Sequence, residues 1–525
     1  MTSEREDGQQ AIWTDLEVET PASRPAPVPP PAQGAPRLQA VNRQQMVWRA
    51  VDVERLIRED HPARAIWELV GRLDLSSFRQ TIGAVQGVAG RPALDPHLLI
   101  SVWIYAYSDG VSSAREITRR CEYDPAYQWL TGLEAINYHS LSDFRVGHQA
   151  ALDELFSGVL ALLSAEGLVT LERVMHDGTK VKACAGADTF RREETLRTHL
   201  EMARQQVQEM GDPGSEELSQ RVAAARARAA RERQQRLELA QQELEKLRQS
   251  KKGEPAQEAR VSETDPQARI MKQGDGGFAP SYNVQVSTDA AQGIIVGVGV
   301  SQSGSDQGQL VPALEKVEEN LERRPEQAVV DAGFISRETI VAVDQHQVDL
   351  IGSMADTRAQ AAGQFARRGV EAAFRPEAFR YQVEGDTYQC PAGKVLRYEG
   401  KVTGVGVTQH HYRASGADCA ACPFHAKCCP HNAAQGRMVV RAEEAPAVVA
   451  FRAKMQTEAA KQIYRQRGRV AEFPFAWLKA KIGLRQFRLR GLLKVTMEAM
   501  WACLTHNIQQ WIRLRWRREA ALGTS

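Results

Sequence analysis

The stretch LERVMHDGT, Leu171–Thr179, decides how this chain is to be read. It is a strand pattern that runs into a carboxylate, Asp177, and a glycine, Gly178. A second stretch, QAVVDAG at Gln327–Gly333, is a short buried-strand run that again ends in Asp-x-Gly, at Asp331. In open α/β sheets the carboxyl ends of strands are where ligands and ions collect. A third stretch, YRQRGRVAEFPFAWLK at Tyr464–Lys479, carries Glu472, the only carboxylate between Glu458 and Glu498. Arg465, Arg467, Arg469, Lys479, Lys481, Arg485, Arg488, Arg490 and Lys494 surround it.

Outward from these stretches the pattern is a mixed sheet flanked by helices. Ser281–Thr288 alternates with period two, Gly293–Val300 is a buried-strand run, Gln307–Arg323 reads as a helix and Val348–Gly352 as a further strand. The predicted organisation has seven parts. A Pro-rich tail over 1–40 is too poor in large apolar residues to build a core. A helical module follows over 41–170, with Asp95 as N-cap and Pro96 at the first helical position of one helix. The first part of the sheet domain occupies 171–354 and holds a polar helical hairpin, inserted over 188–260, whose mixed charges read as a solvated face. Residues 355–444 form a cysteine-rich insertion. Closing helices lie over 445–516, at Ala445–Gly468, Pro474–Ile482 and Lys494–Trp516, and a short tail over 517–525 ends the chain. The fold class is therefore α/β.

Composition bounds the rest. At roughly 100–200 residues per domain, 525 residues make two to four units. Hydrophobic residues at 43% and charged residues at 25% are ordinary for a soluble globular chain. No stretch approaches the ~20 apolar residues of a membrane span, and the acidic, polar MTSEREDGQQ start is no secretory signal, so a cytoplasmic protein without a membrane partner is expected. Net charge is only +2, from 67 basic and 65 acidic residues, so a nucleic-acid role must rest on local clustering. The cluster around Glu472, an isolated acid among cations with interleaved aromatics, suits a site where metal-bound carboxylates meet DNA. Two-metal phosphodiester chemistry uses hard oxygen ligands to hold Mg²⁺, with lysines and arginines positioning the flanking phosphates. Asp-Gly is equally an ordinary turn signal.

Three separated motifs resemble the catalytic signature of DDE transposases from bacterial insertion sequences. They are Asp177-Gly-Thr-Lys, Val329-Val-Asp331-Ala-Gly-Phe, and Tyr464-x2-Arg467-x4-Glu472-x6-Lys479 with Phe487-Arg-Leu-Arg-Gly491. The group named for insertion sequence 1182 is the nearest in pattern. Arg91-Pro-Ala-Leu-Asp-Pro, His139-Ser-Leu-Ser-Asp-Phe-Arg, Ser262-Glu-Thr-Asp-Pro-Gln-Ala-Arg and Pro280-Ser-Tyr-Asn-Val-Gln extend the resemblance over most of the chain from Gln45 to Gln510. The resemblance implies an RNase H-like core with Asp177 on its first strand, Asp331 on its fourth and Glu472 on the closing helix, the three as catalytic Mg²⁺ ligands, with Mn²⁺ able to substitute. It implies that Tyr464, Arg467 and Lys479, with Arg485, Arg488 and Arg490, grip DNA; that the helical module binds transposon ends; and that a homo-oligomer synapses transposon-end and target DNA. Pro474 cannot sit cheaply inside a helix, so Glu472 is expected either just before a new helix or at a kink.

Eight cysteines in so long a chain make no disulfide scaffold. Cys390, then Cys419-x2-Cys422, then Cys428 give a candidate structural zinc site, with Cys429, His425 and His431 as substitutes and buried reduced thiols as the alternative. Several residues are set aside: Gly297 and Gly299 as strand glycines, Asp289 and Asp306 as turn or cap acids, His176 as a residue of the strand's opposite face, and Trp501, Trp511 and Trp516 as core. Arg513, Arg515, Arg517 and Arg518 read as phosphate contacts or a basic tail. The expected function is two-metal hydrolysis at transposon ends followed by 3′-hydroxyl strand transfer into target DNA. The alternatives are an RNase H-like nuclease without strand transfer and a catalytically silent DNA-binding descendant.

Overall fold

The strand Arg173–Lys182 (β1) is the axis of the molecule. The computed structural model describes residues 43–46, 48, 50–85, 87, 92–209, 220–250, 254–354 and 358–517. The expected Pro-rich tail, Arg91, the break at Gly211–Gly214 and Arg518 with the rest of the C-terminal tail lie outside them. The chain divides at Val51, and the fold described is that of the unit beginning at Asp52.

Ahead of β1 come helices Pro62–Gly71 (α1), Pro96–Ser108 (α2), Ala114–Arg120 (α3), Pro125–Thr131 (α4), Tyr138–Gly147 (α5) and Gln149–Ala165 (α6). Asp95 caps α2 through its carboxylate and the His97 amide, with Pro96 at the first position. Trp103, Tyr107, Phe156 and Leu160 of these helices join one hydrophobic core with the sheet and the last long helix.

After β1 the hairpin of Glu193–Glu209 (α7) and Gln220–Ser250 (α8) packs on a small core of its own, including Leu196, Leu200, Leu237 and Leu244. The sheet resumes with Arg269–Lys272 (β2), Phe278–Asp289 (β3) and Ile295–Ser301 (β4); helix Leu310–Leu321 (α9), strand Gln327–Val329 (β5), helix Arg337–Gln345 (α10) and strand Asp349–Ile351 (β6) complete it. β1 is antiparallel to β3, with Asp177 opposite Val286, and parallel to β5. β3 is long enough to pair antiparallel with β2 along its first half and with β4 along its second. β5 is parallel to β6. The order β4-β3-β1-β5-β6, three antiparallel strands continued by two parallel ones, is an RNase H-like sheet. Gly297 serves packing, because an added Cβ would stand 3.0 Å from Val317 of α9.

Residues 380–444 form a separate five-stranded antiparallel sheet of Arg380–Gln382 (β7), Thr387–Gln389 (β8), Val395–Gly404 (β9), Val407–Ala414 (β10) and Met438–Glu444 (β11). Its core is thin: Phe379, Leu396, Tyr412, Ala414 and Val439. The chain then returns through Pro446–Gln456 (α11), Glu458–Ala480 (α12) and Leu492–Trp511 (α13). Trp501 and Trp511 are buried in the main core, as core tryptophans should be. Among the described residues no helix is long and apolar enough to cross a membrane.

Two expectations about these elements are corrected. Asp177 does not end its strand; it lies at the middle of β1, which continues to Lys182 because β3 offers an unbroken partner as far as Ser281. The closing region breaks elsewhere than predicted. The helix expected over Ala445–Gly468 ends at Gln456, Thr457 caps the next through the Ala460 amide, and α12 passes through Pro474 without a new start. Pro474 is buried with Ala471, Phe475 and Leu478, so packing of that stripe outweighs the missing amide.

Candidate active site

Parallel pairing of β1 with β5 sets the first two acids side by side. Asp177 projects from β1, and Asp331 follows β5 by two residues, where its Oδ1 accepts from the Gly333 amide at 2.7 Å and fixes the turn. Asp177 is largely buried. Its Oδ1 accepts from the Gly178 amide at 2.8 Å, and its Oδ2 meets Arg467 Nη1 at 3.3 Å. Burial dominates and holds this carboxyl above its ordinary pKa, the Gly178 amide and Arg467 oppose that, and the charges of Asp331 and Asp306 reinforce it.

Helix α12 lies across the same face of β1. Arg467 reaches Asp177 from it, and Lys479 Nζ donates to Thr179 Oγ1 at 2.5 Å; Thr179 is two residues beyond Asp177 and so shares its face. Burial, with Arg485 nearby, holds the Lys479 amine below its ordinary pKa. Tyr464 packs against a small cluster of Met175, Val329, Ile351 and Ala460 beneath the two acids. Glu472 rides the same helix at its exposed edge, its Oε1 3.5 Å from the point where a Cβ on Gly468 would stand. Asp177, Asp331, Arg467 and Lys479 are thus brought together, and Glu472 is placed on the adjoining helix with its carboxylate turned to solvent. Among the described residues no three His, Cys, Asp or Glu side chains are gathered closely enough to hold a metal ion.

The remaining cations divide by their partners. Arg485 Nε donates to the Lys479 carbonyl at 3.2 Å, Arg488 Nε to Ser112 Oγ at 2.7 Å, and Arg490 Nε to the Cys184 carbonyl at 3.1 Å. Each is anchored at the neck of its guanidinium. Arg513 and Arg515 instead bond Gln510 and the Glu166 carbonyl, so they serve the core's edge.

Behind β1 lies a polar network whose acid was set aside as a turn or cap residue. Asp306 Oδ1 accepts from Asn283 Nδ2 at 2.7 Å and Gln285 Nε2 at 2.9 Å, and Oδ2 from Lys180 Nζ at 3.2 Å. A carboxylate only accepts, so the Gln285 amide nitrogen must face it. Gln285 Oε1 then accepts from His176 Nε2 at 2.9 Å, which leaves His176 Nδ1 to accept from Ser287 Oγ at 2.9 Å. His176 therefore lies on the face opposite Asp177, as expected, buried and neutral, with burial pushing its pKa down to about 4. Gly178 is glycine because a Cβ there would stand 2.5 Å from both Asp306 Oδ1 and Gln285 Nε2. No local motif announces this network; its members come from β1, β3 and the loop after β4. Asp289, by contrast, is a turn acid, accepting from the Thr170, Leu171 and Ala291 amides.

Cys390, Cys419, Cys422, Cys428 and Cys429 all line one small cavity of about 20 Å³, with His425 beside them. The Lys394 and Arg437 amides donate to the sulfurs of Cys390 and Cys419, each at 3.3 Å.

Two regions of the chain match known families. Residues 51–146 match the family described as Transposase domain (DUF772), and residues 389–512, which contain Tyr464, Arg467, Glu472 and Lys479, match the family described as Transposase DDE domain. No curated protein matches. Among solved structures, a piggyBac transposase synaptic complex with hairpin DNA aligns at 8% identity over 86% of this chain and 81% of that one, with a TM-score of 0.23, too loose to equate the two folds. The chain thus carries two regions similar to transposase families, one of them a DDE domain.

Proposed function

We propose that the chain catalyses metal-dependent phosphodiester hydrolysis at transposon ends and transfers the freed 3′-hydroxyl to target DNA, as a member of the group named for insertion sequence 1182. The observation that carries this reading is that Asp177, on β1, and Asp331, two residues beyond the parallel neighbour β5, lie beside a helix that brings Arg467 and Lys479 to the face of Asp177.

The donor types, hard carboxylates, suit a divalent cation, and Glu472 has to turn inward to complete the set. Two hard carboxylates feel each other's charge, and the burial that raises the Asp177 pKa is a cost that a cation relieves. Asp177 and Asp331 would hold Mg²⁺, or Mn²⁺ in its place, with Glu472 turning in from the rim as the third ligand. When bound, the ion lowers the pKa of the attacking water or hydroxyl and stabilises the leaving oxygen. The protein's own groups position the DNA. Lys479 and Arg467 meet phosphates flanking the scissile bond, Arg485, Arg488 and Arg490 extend the grip, and the site accepts first water and then a DNA 3′-hydroxyl. The helical module binds transposon ends, a homo-oligomer joins two of them, and the protein acts in the cytoplasm. Cys390, Cys419, Cys422 and Cys428, which line one cavity without standing at ligand spacing, would close on a structural zinc ion; the amide donors to the Cys390 and Cys419 sulfurs suit thiolates.

The test is Mg²⁺- or Mn²⁺-dependent nicking of labelled DNA carrying the element's own ends, with Asp331→Ala alongside and joined products scored. End cleavage and joining lost in the variant support the reading. Cleavage without joining supports a nuclease, and end binding without cleavage a silent DNA-binding protein.

A further inference from the structure

Between the closing helices α12 and α13 the chain turns through residues 481–491, and the course of this turn is set from the core. Its first part runs beside the end of β1. The Lys182 amide donates to the Arg485 carbonyl at 3.2 Å, and the Phe487 amide to the Lys182 carbonyl at 2.8 Å. Phe487 is buried and stands edge-on to the Tyr282 ring of β3. Beyond Phe487 the amides land on side chains. Those of Arg488 and Leu489 donate to the Glu498 carboxylate at 3.1 and 3.0 Å, that of Gly491 to Asp265 Oδ1 at 3.1 Å, and that of Leu492 to Gln267 Oε1 at 2.7 Å. Asp265 Oδ1 also accepts from the Tyr282 hydroxyl at 2.7 Å, and the Asp265 amide donates to Ser262 Oγ at 3.0 Å. The stretches Ser262–Arg269 and Pro280–Gln285, neither of which carries a candidate catalytic acid, thus converge on Phe487–Gly491.

Glu498 and Asp265 are both buried, and a buried carboxylate is costly unless it is paired or hydrogen-bonded. Burial pushes each carboxyl above its ordinary pKa. Arg145, itself buried, opposes this at Glu498 together with the two amides, and the Tyr282 hydroxyl opposes it at Asp265. An apolar side chain would fill either place at less cost. What the carboxylates add is a fixed course for the loop backbone, which turns into α13 at Gly491 with φ at +83°. The side chains on the outside of this turn are cations held by their necks. Arg485 Nε donates to the Lys479 carbonyl, Arg488 Nε to Ser112 Oγ and Arg490 Nε to the Cys184 carbonyl. All three are exposed, and their Nη groups make no hydrogen bond or ion pair among the described residues. The Ser112 anchor also joins the helical module to the core, where a Cβ on Gly110 would stand 3.1 Å from the Lys481 carbonyl.

We propose that Glu498 and Asp265, with Gln267, are positioning residues that hold this turn so that the open Nη ends of Arg485, Arg488 and Arg490 meet the phosphate backbone of the bound DNA. An arginine whose backbone and Nε are already fixed loses less conformational freedom when it takes a phosphate, so the anchoring goes into affinity. This inference rests on the transposase reading and adds to it the residues that set its arginines.

The experiment measures binding of the full chain to a labelled duplex carrying the element's end, by fluorescence anisotropy across a salt series, with the binding-competent fraction titrated for each protein. Arg488→Gln/Arg490→Gln is expected to lose roughly tenfold in affinity and about 2 from the salt slope. Glu498→Gln turns one acceptor oxygen into a donor against the loop amides, and is expected to lose about fivefold in affinity and about 1 from the slope. A residue that only supports the fold lowers the fraction of chain that binds and leaves the slope alone. Adding Glu498→Gln to the arginine pair is expected to stay within about twofold of the pair, because the loss is already spent. Gln267→Ala, half-buried and uncharged, frees the far end of the same turn and is expected to lose about threefold; it carries the test should Glu498→Gln fail to fold. Parent-like affinity and slope in the folded positioning variants, with the arginine pair weakened, overturn the positioning role and leave the transposase reading standing. Losses that multiply in the combined variant overturn it too, since Glu498 then does not act through these arginines. An arginine pair that binds like the parent overturns the turn's contact with phosphate. A parent that binds no duplex overturns the transposase reading as well.

Discussion

Arg467 pairs with Asp177, Nη1 to Oδ2 at 3.3 Å, across 290 residues of sequence. The pair joins the closing helix to the first strand, and it sets the ionisation of the acid that lies deepest in the site. Burial pushes the Asp177 carboxyl up, and Arg467 is the side-chain charge that holds it down. A carboxylate must be ionised to bind a metal ion. Arg467→Gln removes the opposing charge, so the Asp177 pKa rises further and the acid limb of the cleavage–pH profile moves to higher pH. Arg467→Lys moves it back part of the way. A profile that keeps its acid limb in Arg467→Gln would show that Asp177 does not control it.

Asp306 makes a different prediction because it lies on the other side of the sheet. It accepts from Asn283, Gln285 and Lys180, and Asn283 and Gln285 are buried. Asp306→Ala leaves those donors without an acceptor, at a cost of about 2–3 kcal/mol in unfolding free energy. Asp306→Asn retains part of the network and loses less. Urea unfolding of the three proteins checks this, and equal midpoints would show that the network carries no stability.

The contrast between Asp177 and Asp306 shows what was legible in the sequence. Asp177 and Asp331 stand out because a strand pattern running into Asp and Gly is local, and the three motifs keep their order along the chain. Asp306 stood out only as an acid near the sheet, read as a turn or cap residue, because its partners are brought to it by strand pairing between β1 and β3, more than a hundred residues apart. The strand runs and the helical hairpin followed from periodicity, and the polar face of His176 from simple alternation. The unbroken path of α12 through Pro474 did not, because a buried stripe formed with distant elements outweighs a local propensity.

His176 and His506 supply a pH dependence of stability. Both are buried and neutral, with burial pushing each pKa down to about 4 from the ordinary 6.5. Below about pH 6.5 the unfolded chain takes up protons that the folded chain refuses. Stability from these two groups is therefore fully present above that pH and is lost as pH falls toward 4. By pH 5 each accounts for about 1–2 kcal/mol. Urea midpoints measured from pH 7 to 5 are expected to fall steadily, and a flat series would show that the rings titrate normally.

The cysteine cavity predicts a metal content. Around the thin core of Phe379, Leu396, Tyr412, Ala414 and Val439, a structural ion would supply much of the stability of this sheet. Protein purified without chelator is expected to carry about one zinc per chain by elemental analysis. Cys419→Ser/Cys422→Ser would lose it and expose the 380–444 segment to proteolysis, with the sheet around Asp177 still protected. Full protection in the zinc-free variant would show that the thiols are only buried and reduced.

Pro474 gives the sharpest separation of stability from chemistry. Inside α12 it removes one helical amide bond and crowds the preceding turn, a cost of about 3 kcal/mol in an ordinary helix. It stands two residues after Glu472, in the same helical turn, and Glu472 Oε1 lies 3.5 Å from where a Cβ on Gly468 would stand. Pro474→Ala supplies the missing amide to the Val470 carbonyl, so unfolding is expected to become harder by about 1 kcal/mol after loss of some buried ring surface. Removing the ring also removes its crowding of the turn that carries Glu472, and metal-dependent cleavage is expected to fall about tenfold with duplex binding unchanged. A stabilised variant with full cleavage activity would mean that the proline has no part in placing Glu472; a destabilised one would mean that packing of its ring outweighs the absent amide.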